Sequence, residues 1–143
     1  MNRSKIDAIA DYVKSQSRNK VVFHRQDIPD LIPVNIGLRI SETIYNIRES
    51  GKISMRVTVE LANILNATIS RHNVYGRYIS IENLGILFEP KLKLNFSMLL
   101  ESYSQNNVLF VRWDGEMYED NLYFLTKKNG IKINIRNIGH IAI

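Results

Sequence analysis

Cysteine is absent from the 143 residues, which excludes disulfides, thiolate-bound zinc and cysteine nucleophiles. Proline and glycine are sparse, at 3 and 7 residues, so the composition is that of a folded chain and not of a fibrous or disordered one. No apolar run approaches the roughly 18 residues that a membrane span needs. The start, Met1-Asn2-Arg3-Ser4-Lys5, leads into a charged amphipathic segment without a signal-peptide core, and a cytoplasmic, membrane-free location is the expectation. The three histidines, His24, His72 and His140, have no ligand-like spacing and no cysteine company, so neither a metal nor another cofactor is expected. Ser41, Ser80 and Ser104 lack a glycine-flanked nucleophile turn, and no Ser/His/Asp triad follows from spacing.

What is present is enough apolar sequence, 45% of residues, for one domain spanning residues 1–143 with a core of its own. The net charge of +5 is uneven. Residues 1–25 carry six Lys/Arg against two acids, residues 26–120 nine against twelve, and residues 121–143 four against none. Basic ends of this kind meet nucleic acid or an acidic partner, or only keep the chain soluble. Single, scattered cations favour the second reading; Lys127-Lys128 is the one adjacent pair.

Ile6, Ile9, Ala10 and Val13 recur at helical spacing and predict a first helix over residues 4–16 with Ser4 as its cap. Lys20-Val21-Val22-Phe23-His24 suits a buried strand. Two prolines in residues 25–33 argue against a full helix there, and Val34-Asn35-Ile36-Gly37-Leu38 reads as a second strand. A helix from Arg39, with Ser41 a possible cap, carries Ile40, Ile44 and Ile47 to a stop at Gly51. A longer helix over residues 55–70 follows, with the stripe Val57, Leu61, Ile64, Leu65 and Ile69. Residues 71–76 read as a loop, and Tyr78-Ile79-Ser80-Ile81 as a central strand with Glu82 and Asn83 at its end. Asn95 caps a helix bearing Phe96, Leu99, Leu100 and Tyr103, and Val108-Leu109-Phe110-Val111 is a continuous apolar strand. Leu122 to Leu125 and Ile131 to Ile135, joined by Lys127-Lys128-Asn129-Gly130, form an antiparallel hairpin. Strands separated by helices predict an α/β fold: a mainly parallel sheet flanked by helices and finished by that hairpin. A carboxylate ending an apolar strand, as Glu82 does, lies at the sheet edge where ligands of such folds bind.

The order of these pieces resembles a known family. Val34-Asn35-Ile36-Gly37-Leu38-Arg39-Ile40-Ser41, then Ile81-Glu82-Asn83-Leu84-Gly85-Ile86-Leu87-Phe88-Glu89-Pro90-Lys91-Leu92-Lys93, then Leu99-Leu100 with Tyr103-Ser104-Gln105-Asn106, and Val111-Arg112-Trp113-Asp114-Gly115 look like BrxF. BrxF is a small P-loop ATPase-like component of type 3 bacteriophage-exclusion (BREX) systems, and the likeness covers about residues 32–126. It implies a RecA/P-loop-like sheet. In that family the first strand leads into a glycine-rich phosphate loop ending in Lys-Thr, then a helix, then the second strand. Such a loop works through backbone N–H groups that cradle phosphate. Residues 25–33 here contain no glycine and no lysine, and nine residues are too few for a loop and a helix. The family's acid at the strand end falls on Glu82, with Asn83 next to it, and its second acid falls on Gly85, which cannot polarise a nucleophile. With both motifs damaged, the likeness implies a pseudo-ATPase.

Loss of the helix after the first strand is expected to bare part of the sheet. Either the first helix moves over it, or the face formed by Val21, Phe23, Ile36 and Leu38 is a partner or self-association surface. Glu82 and Asn83 read as a remnant magnesium or water site or as caps of the following segment, and Trp113 as a base-stacking or a packing residue. Two functions stay open. One is a non-catalytic adaptor that docks on a protein of an anti-phage system, by resemblance a larger ATPase or a phosphatase-like protein, with homo-oligomerisation as a variant. The other is a small nucleic-acid-binding module using Lys127, Lys128, Lys132 and Arg136 of the hairpin with Arg3, Lys5, Lys14, Arg18 and Lys20 of the N-terminal segment.

Overall fold

The computed structural model describes residues 1–49, 51–125 and 130–143. Its first helix, α1, spans Arg3–Val13 and is capped by Asn2, whose side chain accepts from the Lys5 N–H at 2.9 Å. The cap lies two residues before the expected Ser4. Strand β1, Val21–His24, is buried throughout, as a strand with parallel neighbours on both sides must be.

The expected strand over residues 34–38 is corrected. Only Val34–Asn35 is strand, β2, and helix α2 starts at once over Ile36–Ile47. Asn35 is its N-cap, taking the Leu38 N–H at 2.9 Å. Ile36 thereby becomes the first member of the stripe that Ile40, Ile44 and Ile47 continue, and Ile36 and Ile40 are fully buried. Helix α3, Ile53–Ala67, buries Val57, Leu61, Ile64 and Leu65 along the expected stripe. It ends earlier than expected because Ser70–His72 forms strand β3, antiparallel to β4 at Gly76–Glu82. The reversal between them is tightened by His72, whose Nδ1 accepts from the Val74 and Tyr75 N–H groups, and by Gly76 at φ +76°.

Helix α4, Phe96–Tyr103, is capped by Asn95, and β5, Val108–Arg112, follows. Then β6 (Glu116–Tyr118), β7 (Asn121–Phe124) and β8 (Ile131–Asn134) make a separate antiparallel sheet. The β7–β8 hairpin is as expected; its turn residues Lys127, Lys128 and Asn129 lie outside the described residues. The main sheet is completed instead by β9, His140–Ala142, which runs parallel to β1. Its order is β2-β4-β5-β1-β9, with β3 on the outer side of the first half of β4.

Alternation along the strands sends side chains to two cores. Val21, Phe23, Ile79, Ile81, Leu109 and Val111 meet α2, α3 and α4 on one face. On the other, Val22, Tyr78, Val108 and Phe110 meet Ile9 of α1 and Ile28 of the connection after β1. That connection therefore acts as cover for the sheet. Replacing Ile28 by Ala is expected to cost about 2–5 kcal/mol in urea unfolding, the range for a buried Ile truncation, whereas an uninvolved loop residue would change stability by less than about 0.5 kcal/mol.

Candidate functional site

Four adjacent parallel strands end together and place His24, Arg112, Glu82 and Asn35 in one row. His24 is in register with Arg112 and Asn35 with Glu82, while Ile81 opposite Val111 brings Glu82 alongside Arg112. This is the carboxyl edge, where α/β sheets bind ligands. Arg112 dominates it. Its Nη1 lies 2.7 Å from Asp27 Oδ1 and 3.8 Å from Glu82 Oε2, and its Nε lies 3.7 Å from Asp114 Oδ1. Arg25 closes the same corner by donating to the carbonyls of Gly115, at 2.6 Å, and Asp114, at 3.3 Å. Residues 25–33 are thus fastened to the turn after β5 by two guanidinium groups. Each pair is partly solvated, with Asp27 82% exposed, so each contributes about 0–1 kcal/mol; together they define where the loop lies.

His24 is buried beneath this network. Its Nδ1 is 2.7 Å from the Gln26 carbonyl, and a carbonyl only accepts, so Nδ1 carries the proton. Nε2 is then a bare acceptor, buried and without a partner among the described residues. Burial pushes the imidazole pKa down, and the Arg112 charge adds to this, against opposing effects of the Gln26 carbonyl, Asp27 and Asp114. A cavity of about 300 Å³ opens beside it, bounded by Asp27, Ile28, Leu31, Ser80, Glu82 and Arg112. A second, about 270 Å³, lies among Asn83, Gly85, Phe88, Trp113, Phe124 and Arg112. Arg112 borders both. Each is at the floor of the roughly 300–1,000 Å³ range of small-molecule sites.

The residues singled out from sequence fall into place unevenly. Asn83, at φ +55°, gives its carbonyl to the Gly37 N–H at 2.8 Å and its amide to Asn35 Oδ1 at 2.8 Å. It clamps the start of α2 to the end of β4, and a Cβ on Gly37 would collide with the Asn83 side chain. Gly85 begins a 3-10 turn, Gly85–Phe88, and a Cβ there would stand 3.2 Å from the Phe124 ring, which itself stacks on Phe88 at 4.8 Å. Gly85 is packed under an aromatic ring. Trp113 is a packing residue, 4% exposed, against Phe88 and Phe96, with its Nε1 donating to the Glu116 carbonyl.

The proposed partner face is corrected. Val21, Phe23 and Ile36 are at most 1% exposed, because α2 begins at Ile36 and closes that side with α3 and α4; only Leu38, at 55%, is accessible. Of the basic hairpin, Lys132 and Arg136 are exposed and Lys127 and Lys128 lie outside the described residues. Among the described residues, no three His, Asp or Glu side chains gather as a metal-binding group. Sequence reasoning passed over Arg25, Asp27 and Arg112. An acid in a glycine-free loop after the first strand, and a base ending an apolar strand, were the available signals.

The lowered His24 pKa has a sign. Unfolded, a histidine titrates near about 6.5; folded, it titrates lower, so below that pH the unfolded chain binds more protons and stability falls as pH falls. The melting temperature is expected to be level above about pH 7 and to drop as the pH falls below about 6.5. His24→Phe should flatten that drop, and an unchanged profile in the variant would assign it elsewhere.

No protein-family model matches this chain, and neither a curated protein nor a solved structure matches it.

Proposed function

We propose that this chain is a non-catalytic, BrxF-like descendant of P-loop ATPases that serves as an adaptor or assembly component of a bacterial anti-phage defence system, acting through protein contact. The topology supports the descent. With the antiparallel β3 set aside, the first parallel strand lies between the fourth and fifth and the second lies at the far edge, the order of a RecA-like core. The defence context rests on the resemblance alone.

The observation that carries the non-catalytic reading is Asp27 seated on Arg112 at 2.7 Å. Phosphoryl transfer needs a lysine, backbone N–H groups and magnesium converging on the phosphates. Here the segment after the first strand presents a carboxylate to that place, and Glu82 faces the same internal guanidinium. An incoming triphosphate meets Asp27, Glu82 and Asp114 around a cation that is already shared. The segment cannot retract freely either, since Ile28 is buried in the core and the Ile32 N–H donates to Tyr78 Oη at 3.1 Å.

For contact with a partner, the accessible surface of α2 replaces the buried strand face. Leu38 and Tyr45, seven residues apart on one side of the helix, are 55% and 66% exposed, and Arg48 lies over the Tyr45 ring at 4.0 Å. Tyrosine and arginine are the residue types that most often carry binding energy at interfaces. A larger ATPase of the same system is the partner that the resemblance implies. Tagged protein purified from its host is expected to bring down such a protein in a complex that survives about 0.5 M salt, where exposed charge pairs are screened. Leu38→Glu with Tyr45→Glu should abolish capture while moving the melting temperature by no more than about 2 °C. A wild-type chain that stays monomeric at high concentration and captures nothing contradicts the proposal.

A further inference from the structure

The opposite edge of the sheet carries a feature that adaptor function does not use. The β3–β4 register sets Arg71 directly across from Arg77, and both are exposed. Like charges opposite one another in an antiparallel pair are destabilising. A cation on β3 is understandable as a guard against edge pairing, but Arg77 is on the inner strand and adds repulsion without adding protection. Such a pair makes sense when an anion lies across it.

Strand order explains why further donors gather there. Because β4, β5 and β1 are neighbours, their amino ends lie side by side. Arg77 near the start of β4, Asn107 just before β5 and Lys20 just before β1 line one recess of about 300 Å³, together with Gln105 and Asn106. Among the described residues, no carboxylate lines it. Lys20 is held in place by bonds from its Nζ to the Tyr12 carbonyl, at 3.3 Å, and to the Ser15 carbonyl and hydroxyl, at 2.5 and 3.0 Å. These partners are neutral, so no acid among them cancels its charge, while burial pushes its pKa below the ordinary lysine value. Exposed Lys14 and Arg18 stand on the connection between α1 and β1. Asp27, Glu82 and Asp114 lie at the carboxyl edge with Arg112 and Arg25. These cations and amides lie instead at the amino edge, where the carboxylate of Asp120 stands 3.6 Å from His140 at the start of β9. The arginine pair is also preorganised, because the hairpin reversal is tied by His72 and the His72 ring stacks on Tyr75 at 4.3 Å.

We infer that the amino edge, centred on Arg71, Arg77 and Lys20, binds the phosphodiester backbone of a nucleic acid. Two guanidinium groups on neighbouring strands, about 5 Å apart at Cβ, suit the closely repeated charges of a polyanion, and planar guanidinium forks match phosphate oxygens. The amides of Gln105, Asn106 and Asn107 are side chains of the kind that contact phosphate and sugar. Lys132 and Arg136 do not line this recess, and the inference stands independently of the adaptor reading.

The test is binding of a labelled 20-nucleotide single strand, and of the same sequence as a duplex, by the full chain over a salt series. Affinity is expected to fall as salt rises. Arg71→Ser with Arg77→Ser should weaken binding at least tenfold and reduce the log–log salt slope by about 1.4 for the single strand or about 1.8 for the duplex, two contacts' worth. Lys132→Ser with Arg136→Ser should leave both unchanged. The arginine double variant should melt no lower than the parent, since it relieves repulsion, which separates lost binding from lost folding. The inference is overturned by no binding to either probe at low salt, by a parental slope in the arginine variant, by loss in the Lys132/Arg136 variant instead, or by equal affinity for polyglutamate at matched salt.

Discussion

The buried parallel sheet has two faces to cover, and the nine residues that join β1 to β2 cannot supply a helix for either. Much else depends on how that shortage is met. One face is served by α2, α3 and α4. The other is served by α1, through Ile9, and by the short connection itself, through Ile28 and Leu31. Pressing the connection onto the sheet brings Asp27 to Arg112 and Arg25 to the turn after β5. The ion pairs at the carboxyl edge are therefore a consequence of packing: a segment recruited as cover arrives with its charges, and Arg112 receives one of them.

The same constraint gives the two edges of the sheet different chemistry. At the carboxyl edge three carboxylates surround one guanidinium, an arrangement satisfied internally and unwelcoming to phosphate. At the amino edge, Arg71 and Arg77 oppose each other and the adjoining recess has donors and no acid. Under the inference above, phosphate is drawn to the amino end of the strands and not to the carboxyl edge.

Much of the fold was legible because strong apolar runs leave little choice. Val21 to Phe23, Ile79 to Ile81 and Val108 to Val111 are strands whatever surrounds them, and the α3 stripe and the Asn95 cap carry their own geometry. The failures are short segments decided by distant partners. Val34-Asn35-Ile36-Gly37-Leu38 alternates as a strand does, yet Asn35 caps a helix because Asn83, 48 positions later, holds its side chain and takes the Gly37 N–H. His140–Ala142 is strand only because β1 offers a free edge. At the site, Glu82 and Asn83 were found as the end of a strand, but Arg112 was not, since its importance lies in the register that sets it between β1 and β4. The expected partner face failed for the same reason: burial of Val21, Phe23 and Ile36 follows from where α2 starts.

We propose that the carboxyl edge, occupied by the chain's own charges, takes no nucleotide. The most direct measurement is a heteronuclear NMR titration with millimolar ATP and magnesium, following the backbone amides of His24, Glu82, Asn83 and Arg112. These resonances are predicted not to move beyond the shifts that magnesium and salt alone produce. Saturable shifts confined to this edge, lost in Glu82→Ala, would contradict the account.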